Sequence, residues 1–325
     1  MPEITYLEAI REAHFEEMER DRNVFVMGED IGAFGGAFKV TEGLLARFGE
    51  DRVIDSPISE IALVGAAAGA AHMGLRPVVE MQFIDFIANA YDMLTNYVAT
   101  ARYRAFLPCP MVVRGPSGGY VRGGPFHSQN PEAGFVHTPG LKVVYPATAS
   151  DAKGLFKAAV RDDDCVLFFE HKYLYRRIKE EMPAGDHVVP IGKARTAREG
   201  KDLSIITYAS TVWKSLEAAE QLEKEDGLSV EVIDLRSLAP LDEEAIVHTV
   251  RKTNRAMVVH EDTRTGGFAG EIIARINERC FEWLDAPVLR VTAHDIPLPY
   301  APQLEDFVLP QTADIVHVAR RLAAY

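Results

Sequence analysis

The stretch Asp55 to Phe86, DSPISEIALVGAAAGAAHMGLRPVVEMQFIDF, is the one the rest of the chain serves. Ser56 followed by Pro57 is a helix-start signal, because serine can satisfy free backbone donors and proline suits the first helical position. From Ile61 to Met73 the residues are almost all Ala, Gly, Leu and Val, so the helix presents no wide polar face and lets other backbones approach closely. That pattern predicts a helix buried all round. Gly74 ends it, and Arg76-Pro77 leads into a predicted strand, Val78 to Phe83. Glu60 is thereby placed as a lone carboxylate at the edge of a core. It either complements the positive end of the helix, worth about 0.3–1 kcal/mol, or is a buried acid of raised pKa that shares a proton with a bound heterocycle. Spacing alone leaves both readings open.

At 325 residues, with 47% hydrophobic residues, the chain has material for about two domains. A formal charge of −13 leaves no basic stripe for phosphates, which argues against nucleic acid or an anionic membrane as partner. Cys109, Cys165 and Cys280 stand apart, without CxxC or zinc spacing, and no signal-peptide pattern opens the chain. A reducing, cytoplasmic setting is expected. The longest apolar run, near Ile61 to Ala71, is shorter than the roughly 20 residues that span a bilayer.

Tyr6 to Arg20 has near-helical apolar spacing and precedes the strand-like run Val24 to Met27. Gly28 to Gly36, GEDIGAFGG, has turn chemistry without the order of a dinucleotide loop. Ala88 to Tyr103 predicts one long helix. Strand Met111 to Val113 then leads to GPSGGYVRGG, Gly115 to Gly124, and on through Leu141 to Tyr145, helix Ser150 to Arg161 and strand Cys165 to Glu170. Met182 to Gly192, with two prolines and two glycines, is the best linker. Beyond it strands and helices alternate again, from Leu203 to Val291, with a final helix past Pro310. The expectation is an α/β protein of two mainly parallel-sheet domains, residues 1–181 and 193–325, joined by residues 182–192.

Two constellations carry chemistry. Gly115-Pro116-Ser117-Gly118-Gly119 matches GxSxG, but the glycines and Pro125 that follow cannot sustain the helix a nucleophile elbow requires. His127 follows that glycine-rich loop, where it is either a surface histidine or a proton-transfer group.

The motifs GEDIG (Gly28–Gly32), TEGL (Thr41–Leu44), FGEDRVIDSPISE ending at Glu60, VVEMQFIDF ending at Phe86, HSQNPEA from His127, PGLKVVYPAT, DAKGL and DLRSLAPLD run in order through the chain. In these the sequence resembles the beta subunit of the E1 component of 2-oxo acid dehydrogenase complexes, over essentially its whole length. The resemblance implies a thiamine-pyrimidine-type domain followed by a transketolase-like C-terminal domain. It also implies an alpha2beta2 heterotetramer in which thiamine diphosphate lies between alpha and beta chains, and an acyl-transferring activity only with the alpha partner.

On that resemblance, Glu60 faces the aminopyrimidine and promotes its imino tautomer, Ile58 and Gln82 line the pyrimidine site, and Phe86 stacks on its ring where some relatives have tyrosine. His127 is implied as a proton donor in the substrate channel. The family's GDG segment for diphosphate and Mg2+ does not occur here, so those ligands are expected from the alpha subunit. A structural potassium ion is implied at the backbone carbonyls of Cys109, Met111, Val112, Ala159, Asp162 and Asp164. The acyl group would pass to the lipoyl group of an E2 acyltransferase. HSQNPEA and Thr265-Gly-Gly-Phe-Ala-Gly-Glu favour a branched-chain 2-oxo acid over pyruvate or acetoin, and a non-catalytic scaffold is the rival from another class.

Overall fold

The computed structural model describes residues 3–325. It divides into two compact units: residues 3–117 with 134–191, and residues 118–133 with 192–325. The second unit thus takes a strip from the middle of the first half of the sequence.

The first unit opens with β1 (Glu3–Thr5), α1 (Tyr6–Arg20), β2 (Val24–Gly28), α2 (Leu44–Phe48), β3 (Val53–Asp55), α3 (Glu60–His72) and β4 (Arg76–Glu80). It continues with α4 (Ala101–Ala105), β5 (Val112–Ser117), α5 (Glu132–Val136), whose first residues belong to the second unit, β6 (Lys142–Val144), α6 (Ala149–Arg161), β7 (Val166–His171) and β8 (Lys179–Glu181). Six strands lie parallel in the order β6-β7-β5-β4-β2-β3, with Val26 opposite both Val53 and Val78. The central strands β5 and β7 are buried throughout, and their first residues, Val112-Val113 and Val166 to Phe169, are apolar without alternation. Helices α1 and α6 are tied by ion pairs: Lys153 to Glu12 and Glu16, Lys157 to Glu16, and Arg161 to Glu17. Short β1 pairs antiparallel with β8, Glu3 opposite Glu181.

In the second unit β9 (Arg195–Arg198), β10 (Leu203–Thr207), α7 (Thr211–Asp226), β11 (Val230–Asp234), β12 (Ser237–Ala239), α8 (Glu243–Thr253), β13 (Ala256–Thr263), α9 (Ala269–Cys280), β14 (Leu289–Ala293), α10 (Pro302–Val308) and α11 (Thr312–Ala323) follow in order. Strands β14-β13-β10-β11 are parallel and β9 adds antiparallel at the edge. Leu203, Ile205, Val232, Met257 and Val259 from the sheet meet Leu222, Ile315 and Leu322 from the helices in one apolar core.

Four expectations need correction. Helix α3 starts at Glu60, not at Ser56, because the Ser56 amide donates to the Gly28 carbonyl (2.9 Å) and keeps the chain extended beside β2. The helix is also buried on one face only: Leu63, Val64, Ala67, Ala68 and Ala71 point inward, while Ile61, Ala62, Ala66 and Gly69 are exposed. The long helix over Ala88–Tyr103 is broken into a 3-10 turn (Ile84–Ala90), a π-helical turn (Met93–Val98) and α4. The side-chain hydroxyls of Thr95 and Thr100 bond back to the carbonyls of Tyr91 and Asn96 (2.9 and 2.7 Å), competing with the regular ladder there. The predicted strand Val78–Phe83 is β4, which starts and stops earlier. Helix α10 and the pair β1–β8 gave no sequence signal strong enough to place them.

Candidate active site

The carboxyl ends of parallel strands are where open α/β sheets collect functional groups. In the first unit Glu60 sits at the first position of α3, only 7% exposed. Its Oε2 accepts a hydrogen bond from the Asn89 side-chain amide (3.2 Å), which the 3-10 turn after β4 delivers. No side chain of Ser59 caps the helix, so Glu60 carries the negative charge of that terminus. Glu29, at the end of β2, lies close enough for the charge of Glu60 to act on it. Burial first, then the charges of Glu60 and Asp30, push the Glu29 carboxyl above its ordinary pKa. Gln82 donates to Asp30 (3.3 Å). Glu60, Asn89, Glu29, Asp30 and Gln82 therefore form one acidic and amide-bearing cluster.

Phe86 is half-buried and meets Phe83 edge-on at 6.4 Å, and Phe83 meets Phe38 edge-on at 5.4 Å, so an aromatic wall runs along the 3-10 turn. Ile58 is 80% exposed in the loop before α3. These groups fit a planar heterocycle: an aromatic ring, an amide and a buried carboxylate whose Oε1 takes no hydrogen bond from the described residues. Ser117, by contrast, is wholly buried on β5, and its Oγ is bonded to the Tyr145 hydroxyl (2.5 Å) and the Glu170 carbonyl (3.1 Å). It is no nucleophile.

Under the cluster runs a fully buried charged layer. Arg114 on β5 pairs with Glu80 on β4 and Glu170 on β7, donating to Glu170 Oε2 at 2.6 Å, and the Tyr175 hydroxyl donates to the same oxygen at 2.6 Å.

The residues implied for a cation come together at the far end of the same sheet. The Cys109 amide donates to the Asp163 carbonyl (3.1 Å), and the Met111 carbonyl accepts from Val166 (3.0 Å), which brings the start of β5 against the turn after α6. Val112 lies in the ladder between Val78 and Val166. The Ala159 carbonyl accepts from the Asp162 amide, the Asp162 carbonyl from Arg76 Nη1 (2.8 Å), and the Asp164 carboxylate from Arg102 (2.7 Å).

In the second unit His127 is half-buried on the strip 118–133. The strip doubles back on itself: the Gly118 amide donates to the Gln129 carbonyl (3.0 Å), and the Gln129 side chain to the Pro125 carbonyl (2.9 Å). Glycine is required at its turn, since a Cβ on Gly123 would stand 2.7 Å from both the His127 carbonyl and Ser128 Oγ, and Gly124 has φ +70°. A cavity of about 580 Å³ opens beside it, with Ser128, Asn130, Glu261, Asp262 and Asp295 in its wall and Ile296 to Leu298 on its apolar side.

Sequence reasoning missed three acids. Glu29 lies inside GEDIG, whose turn chemistry masked it. Glu132 and Glu261 look like ordinary helix-start and strand-end residues, yet both are buried. Glu132 Oε1 accepts from the Tyr208 hydroxyl (2.8 Å), and burial, with the charge of Asp262 second, holds its carboxyl well above the usual carboxylate range.

Comparison with known proteins agrees with this fold. Residues 2–178 match the family described as "Transketolase, pyrimidine binding domain", and residues 192–315 match "Transketolase, C-terminal domain". A solved structure titled "Split gene transketolase, inactive beta4 tetramer" superposes with a TM-score of 0.80 over 99% of this chain and 98% of its own, at 23% identity, a likeness of fold. The two-domain architecture and the pyrimidine-type site define a transketolase-type α/β protein of the thiamine diphosphate-dependent class. Two relatives narrow it: the 2-oxoisovalerate dehydrogenase subunit beta of Bacillus subtilis (strain 168) is 50% identical, and the pyruvate dehydrogenase E1 component subunit beta of the same organism 44% identical, each over 100% of both chains. The chain belongs to the family of E1 beta subunits of 2-oxo acid dehydrogenases. No helix among the described residues is long and apolar enough to cross a membrane.

Proposed function

We propose that this chain is the beta half of an enzyme that decarboxylates a branched-chain 2-oxo acid and passes the acyl group to the lipoyl group of an E2 acyltransferase, acting only with an alpha subunit in an alpha2beta2 assembly. The observation that carries the reading is Glu60: a buried carboxylate held by Asn89 with Oε1 left open, beside Gln82's cluster and the Phe86 wall. Bound thiamine diphosphate supplies the electron sink for decarboxylation. Toward it, the first unit contributes the pyrimidine half. Glu60 holds a proton at Oε1 for exchange with a ring nitrogen, Phe86 offers a ring face, and Gln82 and Ile58 bound the edge of the heterocycle. From the second unit His127 donates a ring proton to substrate or acyl group. Diphosphate and Mg2+ are assigned to the alpha chain.

The higher identity to the 2-oxoisovalerate subunit, 50% against 44%, supports the branched-chain substrate over pyruvate. Methyl groups in an apolar pocket discriminate by only about 1–3 kcal/mol, so slow turnover of pyruvate is expected as well. The assembled enzyme should show a higher kcat/KM for 3-methyl-2-oxobutanoate than for pyruvate. The reverse order would make it a pyruvate enzyme, and no decarboxylation of any 2-oxo acid would leave only the scaffold.

We also assign a structural potassium ion to the carbonyls around Cys109, Met111, Val112, Ala159, Asp162 and Asp164. It would share the Asp162 carbonyl with the Arg76 guanidinium. Exchanging potassium for tetramethylammonium should lower the Tm of the assembled enzyme; an unchanged Tm counts against the ion.

A further inference from the structure

His127 rides on a loop whose tip is shaped by glycine, so something else must fix where the loop stands. Two non-glycine residues on it, Tyr120 (φ 61°) and Arg122 (φ 64°), are in the left-handed region. They stay there because each is tied down: the Tyr120 hydroxyl donates to the Pro310 carbonyl (2.7 Å), and Arg122 pairs with Glu305 and Asp306 on α10 (2.5 and 2.7 Å). These ties hold one arm of the loop. One side chain bonds to both roots.

Glu261, 5% exposed near the carboxyl end of β13, accepts at Oε1 from the Gly119 amide and from the Asn130 side-chain amide (3.0 Å). Its Oε2 accepts from Ser210 Oγ (2.7 Å) at the cap of α7. Gly119 precedes His127 and Asn130 follows it, so one carboxylate clamps both legs of the loop to the sheet and to the start of a helix. A buried charge that is bonded this fully has one geometry, and strand β13 with α7 gives it a rigid seat.

We propose that Glu261 is the positioning residue for His127. It touches no reacting atom and acts by fixing both roots of the His127 loop. This rests on the reading that His127 takes part in the reaction.

The test uses the assembled enzyme with its alpha partner, thiamine diphosphate and 3-methyl-2-oxobutanoate. Glu261→Ala should lower kcat about tenfold or more, as expected when a catalytic group is displaced by a fraction of an ångström to an ångström. KM and cofactor affinity should move by less than about threefold, because the pyrimidine half is untouched. Glu261→Gln should recover most of kcat, since its oxygen still accepts from Gly119 and Asn130 and its amide can donate to Ser210. In a His127→Ala background Glu261→Ala should cost no more than about twofold further. An equal loss in both backgrounds, or a Glu261→Gln variant as impaired as Glu261→Ala, overturns the proposal.

Hydrogen exchange of the same variants separates this proposal from the parent reading. Faster exchange confined to residues 118–133 in Glu261→Ala supports the clamp, and unchanged exchange there overturns it, whether or not the wild type decarboxylates anything. Wild-type inactivity would sink only the enzyme reading. Should Glu261→Ala fail to fold, Asn130→Ala removes one tie, leaves Glu261 on Gly119 and Ser210, and is read by the same two measurements.

Discussion

Two pairs of buried carboxylates, one pair in each unit, are met in opposite ways. In the first, Glu80 and Glu170 flank Arg114 across three neighbouring strands, and Tyr175 adds a hydroxyl, so negative charge is met by positive charge. In the second, Glu132 and Glu261 are met by hydroxyls and amides: Tyr208, Ser210, Asn130 and the Gly119 backbone. Neighbouring Asp262 is pushed up to about 6, chiefly by burial. Burial raises the proton affinity of Glu80 even beside Arg114, as it does that of Glu132 among neutral donors. Glu60 follows neither pattern: among the described residues its one hydrogen-bond partner is the Asn89 side-chain amide.

The largest expected effect therefore falls on Glu60. Glu60→Gln should keep the fold but lower turnover of the assembled enzyme by about 10²–10⁴-fold, because an amide cannot exchange the proton a general acid–base group transfers. Normal turnover would return Glu60 to the role of a helix-dipole partner.

Next comes the paired layer. Arg114→Met should destabilise the first unit by about 3–5 kcal/mol, since it strands two buried carboxylates. Adding Glu80→Leu and Glu170→Leu should recover most of that loss. Urea unfolding measures both; a loss that the triple variant does not recover would mean the layer is held by shape and not by charge.

The smallest effect is on pH response. His260, wholly buried and stacked on Tyr208 at 6.0 Å, is lowered from 6.5 to about 4, first by desolvation. A histidine whose folded pKa is depressed stabilises the protein fully above its unfolded pKa, and the benefit is lost as pH falls from 6.5 toward 4. Between pH 7 and 5 this amounts to about 2 kcal/mol. Both tryptophans, Trp213 and Trp283, lie in the second unit, so their fluorescence reports it alone. His260→Leu should flatten the acid-side slope of that signal, and an unchanged slope would assign the proton to another group.

Much of the fold was legible because parallel strands and their helices write local patterns: α1 and α6 lie within a residue of their expected positions, and strands and helices alternate beyond the linker as expected. Ala88–Tyr103 misled because its apolar spacing is helical while its threonines bond backward. The exposed face of α3 misled for another reason: Ala and Gly read alike whether they face a core or the outside of one chain. At the site, Glu60 and His127 could be singled out from their neighbours in sequence. Glu29 could not, since its raised proton affinity comes from burial in the fold and then from the charge of Glu60. Arg114 and Glu261 could not either, because the partners that give them meaning stand 34 to 142 residues away.

That separation has a consequence during synthesis. The chain leaves the first unit at residue 117, returns at residue 134 and leaves for good at residue 191, so the strip carrying His127 emerges long before β13 exists. Gly119 precedes Glu261 by 142 residues, a wait of roughly 7–28 s at the usual 5–20 residues translated per second. A ribosome that pauses after the first half holds a nascent chain with its histidine loop unanchored, and a gene fragment encoding only residues 192–325 makes a domain that lacks one of its own pieces.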